Sequence, residues 1–258
     1  MSMLEYTEFY HADEPVGVFD FYSSLTPDRK DFKKIFNRNK IYCPECRVCQ
    51  LKLTQETISK TAFLSKMPGE NNKHSDWCSH NHQTMKNSEA IKYYGSLSNE
   101  EILEKLEKTI YLLLSPKVTN NHKKTVPTYD NPTLGLIQTT NRKNEETMKA
   151  LPKMSFYDPR IINVPENYYH IPFLLYGDVY LSAYEIIGST GFSYNKIRVI
   201  DKNSKNQIMN LYRGKNIDKT REDVLYHVAV VVRYDYVSIR KEYKWELYNQ
   251  TSIIYRSD

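Results

Sequence analysis

The chain has 258 residues, of which 36 are Lys or Arg and 31 are Asp or Glu. Its mean hydropathy of -0.65 is low, and no apolar run approaches the roughly 20 residues of a membrane-spanning helix, which excludes that class of protein. With only 8 glycines and neither a G-x-G-x-x-G nor a G-x-x-x-x-G-K-[ST] motif, the sequence also argues against a nucleotide-fold enzyme.

The N-terminal segment, residues 1–27, is acidic and aromatic. It carries five acids, no base and six Phe or Tyr residues, so it has enough apolar area to dock on a surface. Secretory and mitochondrial leaders need bases that this segment lacks. We therefore expect a cytoplasmic protein, acting in the host cytoplasm if a phage encodes it.

Positive charge is concentrated in two stretches. Residues 28–60 hold nine bases and four acids, a net charge of +5, and residues 196–244 hold twelve bases and six acids, a net charge of +6. Clustered bases attract polyanions by releasing counterions, although a solvated lysine-rich surface would have the same composition. The candidate nucleic-acid contacts are Lys33, Lys34, Arg38, Arg198 and Arg213.

The strongest chemical signal is a cluster of cysteines and histidines. All four cysteines and three of the seven histidines fall between residues 43 and 82. Cys43-Pro-Glu-Cys46 is typical of a tight turn that presents two thiolates, and His74 and Cys78 have the spacing of a second ligand pair. The sequence predicts a tetrahedral structural zinc site without an open position for water, formed by Cys43, Cys46, His74 and Cys78.

Other uses of these residues remain open at this point. A disulfide framework would need an oxidising compartment. An iron–sulfur cluster could use Cys43, Cys46, Cys49 and Cys78, but the fourth cysteine and its proline are not where that pattern puts them. Cys49, His80 or His82 could also replace one of the four predicted ligands.

The 27 residues between the two ligand pairs predict a small hairpin. Residues 50–57 and 59–64 are β-compatible, and residues 67–70 indicate a turn, as in a zinc-ribbon-like or treble-clef-like module. Over about residues 40–82, the Cys43-Pro-Glu-Cys46 motif and the His…Cys pair resemble the N-terminal zinc module of bacterial competence-protein-like families and of phage and mobile-element proteins. Members of that group often add a nuclease domain, so the resemblance implies nucleic-acid handling. The C-terminal half has no matching motif.

The middle of the chain contains one predicted helix. Ser98 and Glu101 form a capping box, and apolar residues recur at helical spacing from Ile102 to Leu114. Residues 116–160 then hold five prolines among polar residues, which favours irregular chain. We predict a zinc-binding module with this helix over residues 1–115, a linker over 116–165 and a β-rich domain over 166–258.

The C-terminal domain is predicted to be all β, which makes the chain α+β. Candidate strands rich in Val, Ile and Tyr cover residues 173–176, 179–187, 196–201, 207–212, 226–237 and 243–255. An antiparallel OB-like barrel is the first expectation and a β-sandwich the second. Fourteen of the 22 tyrosines lie between Tyr157 and Tyr255 among arginines, as on single-strand binders, although tyrosines also fill half-buried strand positions.

Catalysis has little support in the sequence. Asp235 with Glu242 and Lys244 contains the E-x-K element of metal-dependent nucleases, but the element is unspecific and the two acids lie close in sequence. We expect no enzyme, but a zinc-stabilised protein of a low-GC bacterium, phage or mobile element that binds DNA rather than RNA, or a nucleic-acid-handling complex. The alternatives are an element-encoded protein that binds and modulates a host protein, and a competence-type nuclease.

Overall fold

The structure, a computed structural model, describes residues 8–11, 14–17, 41–43, 45–54, 63–76, 78–114, 136–140, 146–156, 158–188, 191–238 and 242–257. The chain divides into two compact units, Met1–His82 and Gln83–Asp258. The predicted linker falls within the second unit and partly outside the described residues. Within those residues, no helix has the length and apolar character needed to cross a membrane.

The first unit contains a five-stranded antiparallel sheet in the order β2-β1-β3-β4-β5. Its strands are β1 (Glu8–His11), β2 (Glu14–Gly17), β3 (Ile41–Tyr42), β4 (Gln50–Thr54) and β5 (Phe63–Lys66). The pairing of β4 with β5 confirms the predicted hairpin, with Leu53 opposite Leu64. Ile41, Leu51 and Leu64 are buried and form a small apolar centre beside the buried cysteines.

Two helices open the second unit, α1 (Asn87–Ser96) and α2 (Asn99–Leu114). The capping box predicted for α2 is confirmed, since Ser98 N–H donates to Glu101 Oε2 at 2.7 Å and Glu101 N–H donates to Ser98 Oγ at 3.2 Å. The sequence prediction missed α1. This helix buries only Ala90 and Tyr94, so its apolar stripe is short.

A seven-stranded sheet dominates the second unit. Its strands are β9 (Lys153–Ser155), β10 (Phe173–Ile187), β11 (Ser193–Asp201), β12 (Gln207–Gly214), β13 (Leu225–Val237), β14 (Glu242–Leu247) and β15 (Ile253–Arg256). Their main order is β12-β11-β10-β13-β14, with β9 parallel to β10 and β15 beside β13. The long β10 lies at the centre and pairs with three strands. The mixed α+β class predicted from sequence is confirmed.

The predicted barrel is not confirmed, because this sheet is open. The outer strands β12 and β14 approach each other within 8 Å between Cα atoms, but in the described part of the chain no ladder joins them. Two register shifts between β11 and β12 bend the sheet towards closure without achieving it. A sandwich is not formed either, since all described strands after residue 166 belong to this one sheet.

The two faces of the sheet bury separate apolar layers. One face packs residues such as Leu175, Val199, Val230 and Trp245 against the segment that follows β9. The opposite face packs Leu174, Ala229 and Val231 against the two helices. Alternation along β10 explains the division, since successive side chains of a strand point to opposite faces.

A smaller three-stranded sheet also belongs to the second unit. Its order is β6 (Gln83–Thr84), β8 (Glu146–Ala150) and β7 (Leu136–Thr140), and β6 runs parallel to β8. The strands β7, β8 and β9 lie within the range for which the proline content predicts a linker. Residues 116–135, 141–145 and 157 of that range lie outside the described residues.

Tyr94 gives a stability prediction for the helix-covered face. Its side chain is fully buried, its hydroxyl has no hydrogen-bond partner, and burial raises the pKa of Tyr94 above its usual range. Because a buried unpaired hydroxyl is unfavourable, we expect Tyr94→Phe to raise the unfolding free energy by about 1 kcal/mol. Thermal denaturation measures the effect. Tyr236→Phe, at a tyrosine of β13 that is 48% exposed, is the control and should not change the melting temperature.

Candidate metal centre

The first ligand pair lies at the turn between β3 and β4. Cys43 N–H donates to Cys49 O at 2.8 Å, and Arg47 N–H donates to Cys43 O at 2.9 Å, which closes a tight loop around Glu45 and Cys46. Arg47 has a φ of 55°, a left-handed conformation that is uncommon for a residue with a Cβ. The turn thereby brings the Cys43 and Cys46 sulfurs to the same side of the hairpin.

The second ligand pair precedes a short 3-10 helix. His74 and Cys78 are buried, and Cys78 is the N-cap of the 3-10 helix Ser79–Asn81. Its N–H donates to Ser75 O at 2.9 Å, which folds residues 75–78 into a turn. Two short local turns therefore supply all four candidate ligands.

The distances between the ligand atoms agree with tetrahedral metal coordination. Cys43 Sγ and Cys78 Sγ are 3.7 Å apart, and His74 Nδ1 lies 3.5 Å from Cys46 Sγ and 3.4 Å from Cys78 Sγ. With Zn–S of about 2.3 Å and Zn–N of about 2.0 Å, a tetrahedral ion separates two sulfurs by about 3.8 Å and a sulfur and a nitrogen by about 3.5 Å. All four ligand atoms lie within 4.8 Å of one another.

Burial and mutual hydrogen bonding shift the pKa values of the three thiols in different directions. Burial raises the pKa of Cys43, and hydrogen bonding to the neighbouring sulfurs raises that of Cys78. The pKa of Cys46 is lowered, because Cys43 and Cys78, His74 and the Cys49 backbone N–H all hydrogen bond to its sulfur. Three thiolates held this close together repel one another, so they need a shared cation.

Glu45 connects the two ligand-bearing turns. Its carboxylate accepts hydrogen bonds from Ser79 N–H at 3.1 Å and from Ser79 Oγ at 2.7 Å, at the start of the 3-10 helix. Glu45 Oε2 also lies 3.6 Å from Cys78 Sγ. Glu45, a residue inside the Cys-x-x-Cys motif, thus fixes the position of Cys78. The ligand spacing alone does not reveal this role of Glu45.

The alternative ligands lie outside the group. Cys49 is fully buried, but its backbone N–H, and not its sulfur, faces Cys46. His82 Nε2 donates to Asp76 O at 2.6 Å, and the His80 ring lies beside that of His74 with centroids 5.8 Å apart. None of the four cysteines forms a disulfide. The predicted set of Cys43, Cys46, His74 and Cys78 is the one that the structure assembles.

Asn72 holds the loop that leads to His74. Its Oδ1 accepts from Gln50 N–H at 2.6 Å, and its Nδ2 donates to Gln50 O and to Met67 O, both at 2.8 Å. The Asn72 side-chain amide thus makes the two hydrogen bonds to the Gln50 backbone that a residue of a neighbouring strand would make. It fixes residues 67–72 beside the hairpin that carries the first ligand pair.

We therefore expect Asn72→Ala to weaken metal binding as well as stability. Three hydrogen bonds are lost, each contributing about 1 kcal/mol, and supporting contacts around metal ligands typically change affinity by about tenfold or more. A competition titration with a fluorescent zinc chelator measures the affinity. Asn71→Ala is the matched control, because Asn71 is exposed; an equal loss in both variants would contradict the role of Asn72.

The predicted nucleic-acid contacts have different environments. Lys33, Lys34 and Arg38 lie outside the described residues. The Arg198 side chain is half-buried, and its guanidinium lies over the Tyr184 ring, 5.1 Å from the ring centroid. The Arg213 side chain is buried and bonds to Asp218 at 2.7 Å and to the Gln250 carbonyl, so its guanidinium is not open to a phosphate in this structure.

The residues of the E-x-K element share one face of the β13–β14 ladder. Asp235 lies directly opposite Lys244, and Glu242 is two residues along β14. The Asp235 carboxylate lies 2.9 Å from His170 Nδ1 and 3.2 Å from Arg233 Nε. Among the described residues, however, the Cys43–Cys78 group is the only set of three or more candidate ligands that gathers closely enough to hold an ion.

These observations define a buried Cys3His group that joins two turns of the first unit and is a candidate metal centre. Comparison of the chain with protein-family models, curated proteins and solved structures found no match.

Proposed function

We propose that the chain is a zinc-stabilised, non-catalytic protein that binds nucleic acid, with DNA as the expected partner. The observation that carries the zinc assignment is the Cys3His group, in which one sulfur–sulfur and two sulfur–nitrogen distances of 3.4–3.7 Å match tetrahedral zinc and all four ligand atoms lie within 4.8 Å of one another. Three sulfurs and one imidazole nitrogen favour zinc over hard cations such as Mg²⁺ and Ca²⁺.

A structural role for the metal follows from the number and burial of its ligands. Four protein ligands complete a tetrahedral shell, which leaves no position for a reactive water. The ligands come from two separate turns, so the ion would link the β3–β4 hairpin to the loop after β5. Cys43, Cys46, His74 and Cys78 would hold it, and Glu45 and Asn72 would keep the two turns in place.

Charge supports the nucleic-acid part of the proposal. Residues 28–60, which include the first ligand pair, have a net charge of +5, and residues 196–244 have a net charge of +6. Clustered bases give a salt-dependent attraction to phosphates. The resemblance of residues 40–82 to competence-type zinc modules points to the same class of partner.

Binding to labelled single-stranded and duplex DNA across a salt series tests this function. We expect affinity to fall steeply with salt, and charge reversal at Lys33, Lys34 and Arg38 to weaken binding and flatten the salt dependence. Elemental analysis should find one zinc ion per chain. Absence of DNA binding at low salt would remove the nucleic-acid role and favour the host-protein alternative, for which a pull-down from the native host is the direct test.

The common face of Asp235, Glu242 and Lys244 keeps a metal-dependent nuclease as the second candidate. Incubation of labelled DNA with Mg²⁺ or Mn²⁺ separates the two proposals. We expect the DNA to remain intact. Cleavage that is lost in Asp235→Asn would overturn the non-catalytic assignment.

A further inference from the structure

We propose that single-stranded DNA binds across the outward face of β10, β11 and β12, with its bases on tyrosine rings and its phosphates on neighbouring cations. This proposal rests on the proposed nucleic-acid function and names the surface that performs it. The surface is here called the tyrosine face and is formed by Tyr180, Tyr184, Tyr194, Lys196, Arg198, Lys205 and Tyr212.

Strand register places these residues on one side of the sheet. Tyr184 lies opposite Lys196, Lys196 lies opposite Tyr212, and Tyr180 is on the same side of β10 as Tyr184. The alternating residues of the same strands, such as Leu181, Ile197 and Leu211, point into the apolar layer on the other side. Over β11, β12 and the second half of β10, one face of the sheet therefore carries apolar side chains and the other carries aromatic and basic groups.

Each cation on the tyrosine face lies next to an aromatic ring. Lys205 Nζ lies 3.6 Å from the Tyr180 centroid, Arg198 Cζ lies 5.1 Å from that of Tyr184, and Lys196 Nζ lies 5.6 Å from that of Tyr194. The Tyr194 and Tyr212 rings contact each other with centroids 5.5 Å apart. Alternating rings and cations are the elements with which single-strand binders stack bases and hold phosphates.

The charges of this face are complementary to a polyanion. Two acids beside this face have partners within the chain: Asp178 bonds to His227 at 2.6 Å and pairs with Lys202, and Glu222 accepts a hydrogen bond from Ser182 Oγ. Lys196 is buried and Lys202 pairs with Asp178, so Arg198 and Lys205 are the cations that attract a polyanion to this face. In addition, Arg198 Nε is buried and has no hydrogen-bond acceptor, so one N–H donor of the guanidinium group is unsatisfied.

Single strands suit this face better than a duplex. The Tyr212 side chain is 42% exposed, and the other three tyrosines are half-buried, so parts of their rings are accessible from the side of the solvent. Unpaired bases can stack on such rings, whereas a duplex hides its base faces between the pairs. We therefore expect the protein to discriminate between the two forms.

Fluorescence anisotropy with a labelled thymidine oligonucleotide of about 20 nucleotides, and with a duplex of equal length, tests the proposal on the full zinc-loaded chain. We expect tighter binding of the single strand. Tyr184→Leu and Tyr212→Ala should each weaken it by about 5- to 100-fold, the range measured for loss of one stacked base. Tyr184→Phe keeps the ring and should bind like the unchanged protein.

The contribution of positive charge to binding is tested with Arg198→Gln, and Lys92→Gln is its matched control. Lys92 is exposed on α1, so its replacement removes one positive charge away from the tyrosine face. Arg198→Gln should weaken binding and lower the salt slope by about 1, and Lys92→Gln should do neither. Zinc content and melting temperature verify that each variant is folded, and the exposed Tyr212 tolerates replacement even if Tyr184 does not.

The outcomes separate this inference from the proposed function. If the unchanged protein binds no DNA at low salt, the nucleic-acid function itself fails. If it binds DNA but the tyrosine-face variants bind as well as Lys92→Gln does, the function stands and the tyrosine face is wrong. Preference for the duplex would also overturn the single-strand assignment.

Discussion

Cys46→Ser is expected to lose zinc and unfold the unit Met1–His82. Cys46 is one of the four buried candidate ligands, with its sulfur 3.5 Å from His74 Nδ1, and the group joins two turns of the unit. Structural zinc contributes about 10 kcal/mol or more to the folding of small modules, which is as large as the total stability of many domains. Elemental analysis and limited proteolysis of the N-terminal unit measure the two effects.

Cys49→Ala is the matched control for the metal centre. Cys49 is as deeply buried as Cys43, but only its backbone N–H contacts Cys46, and alanine keeps that donor. We expect this variant to retain one zinc ion per chain. Full zinc content in Cys46→Ser, or its loss in Cys49→Ala, would redirect the ligand set to the alternatives Cys49, His80 and His82.

Arg213→Ala is expected to lower the unfolding free energy of the second unit by about 3 to 5 kcal/mol, since it leaves a buried carboxylate without its cation. Arg213 and Asp218 are each at least nine-tenths buried, and Tyr255 OH donates to Asp218 Oδ1 at 3.1 Å. Burial and the nearby Asp218 charge raise the pKa of Tyr255 to about 12. Chemical denaturation measures the change.

Arg221→Ala provides the comparison. Arg221 forms a similar ion pair with Asp223 at 2.8 Å, but both side chains are more than two-thirds exposed, so solvent and salt screen the pair. We expect no measurable loss of stability. If Arg213→Ala were equally harmless but weakened DNA binding, Arg213 would be a phosphate contact, as its sequence context suggests, and not a structural residue.

The ligands were predictable because metal chemistry restricts them strongly. A buried ion needs thiolates and imidazoles in pairs at short spacing, and Cys43, Cys46, His74 and Cys78 meet that requirement. The exclusion of Cys49 was not predictable, since Cys46 and Cys49 have the same spacing as Cys43 and Cys46. Arg47, which lies between them, has a left-handed φ of 55°, and the Cys49 sulfur donates to Gln50 O at 3.8 Å and is not part of the ligand group.

The sequence predicted the presence of the strands better than it predicted where they end. The Gly177-Asp178 pair suggests a break, yet β10 continues through it because both of its edges are paired there or nearby. Conversely, the predicted strand over residues 243–255 is interrupted where Ser252 N–H donates to Asn249 O at 3.1 Å and closes a turn between β14 and β15. Side-chain preference indicates β structure, but neighbouring strands decide where each strand ends.

The sequence pattern could not predict which residues surround an individual charged side chain. Arg198 and Arg213 have similar strand contexts, and both were predicted as phosphate contacts. Only the register shows that Arg198 shares a face with Tyr184, while Arg213 lies beside Asp218 in the interior.

The resemblance of residues 40–82 to competence-type zinc modules stays a prediction.

The central position of β10 has a consequence for hydrogen exchange. This strand pairs with β13 from Phe173 to Tyr180, with β11 from Val179 to Ile187 and with β9 from Leu174 to Tyr176, and it contributes side chains to the apolar layers on both faces. The amide protons of residues 174–176 and 179–180, which lie between two paired strands, can reach solvent only when neighbouring strands and both layers separate together. They should therefore exchange more slowly than those of the outer strand β12, at a rate set by global opening of the second unit.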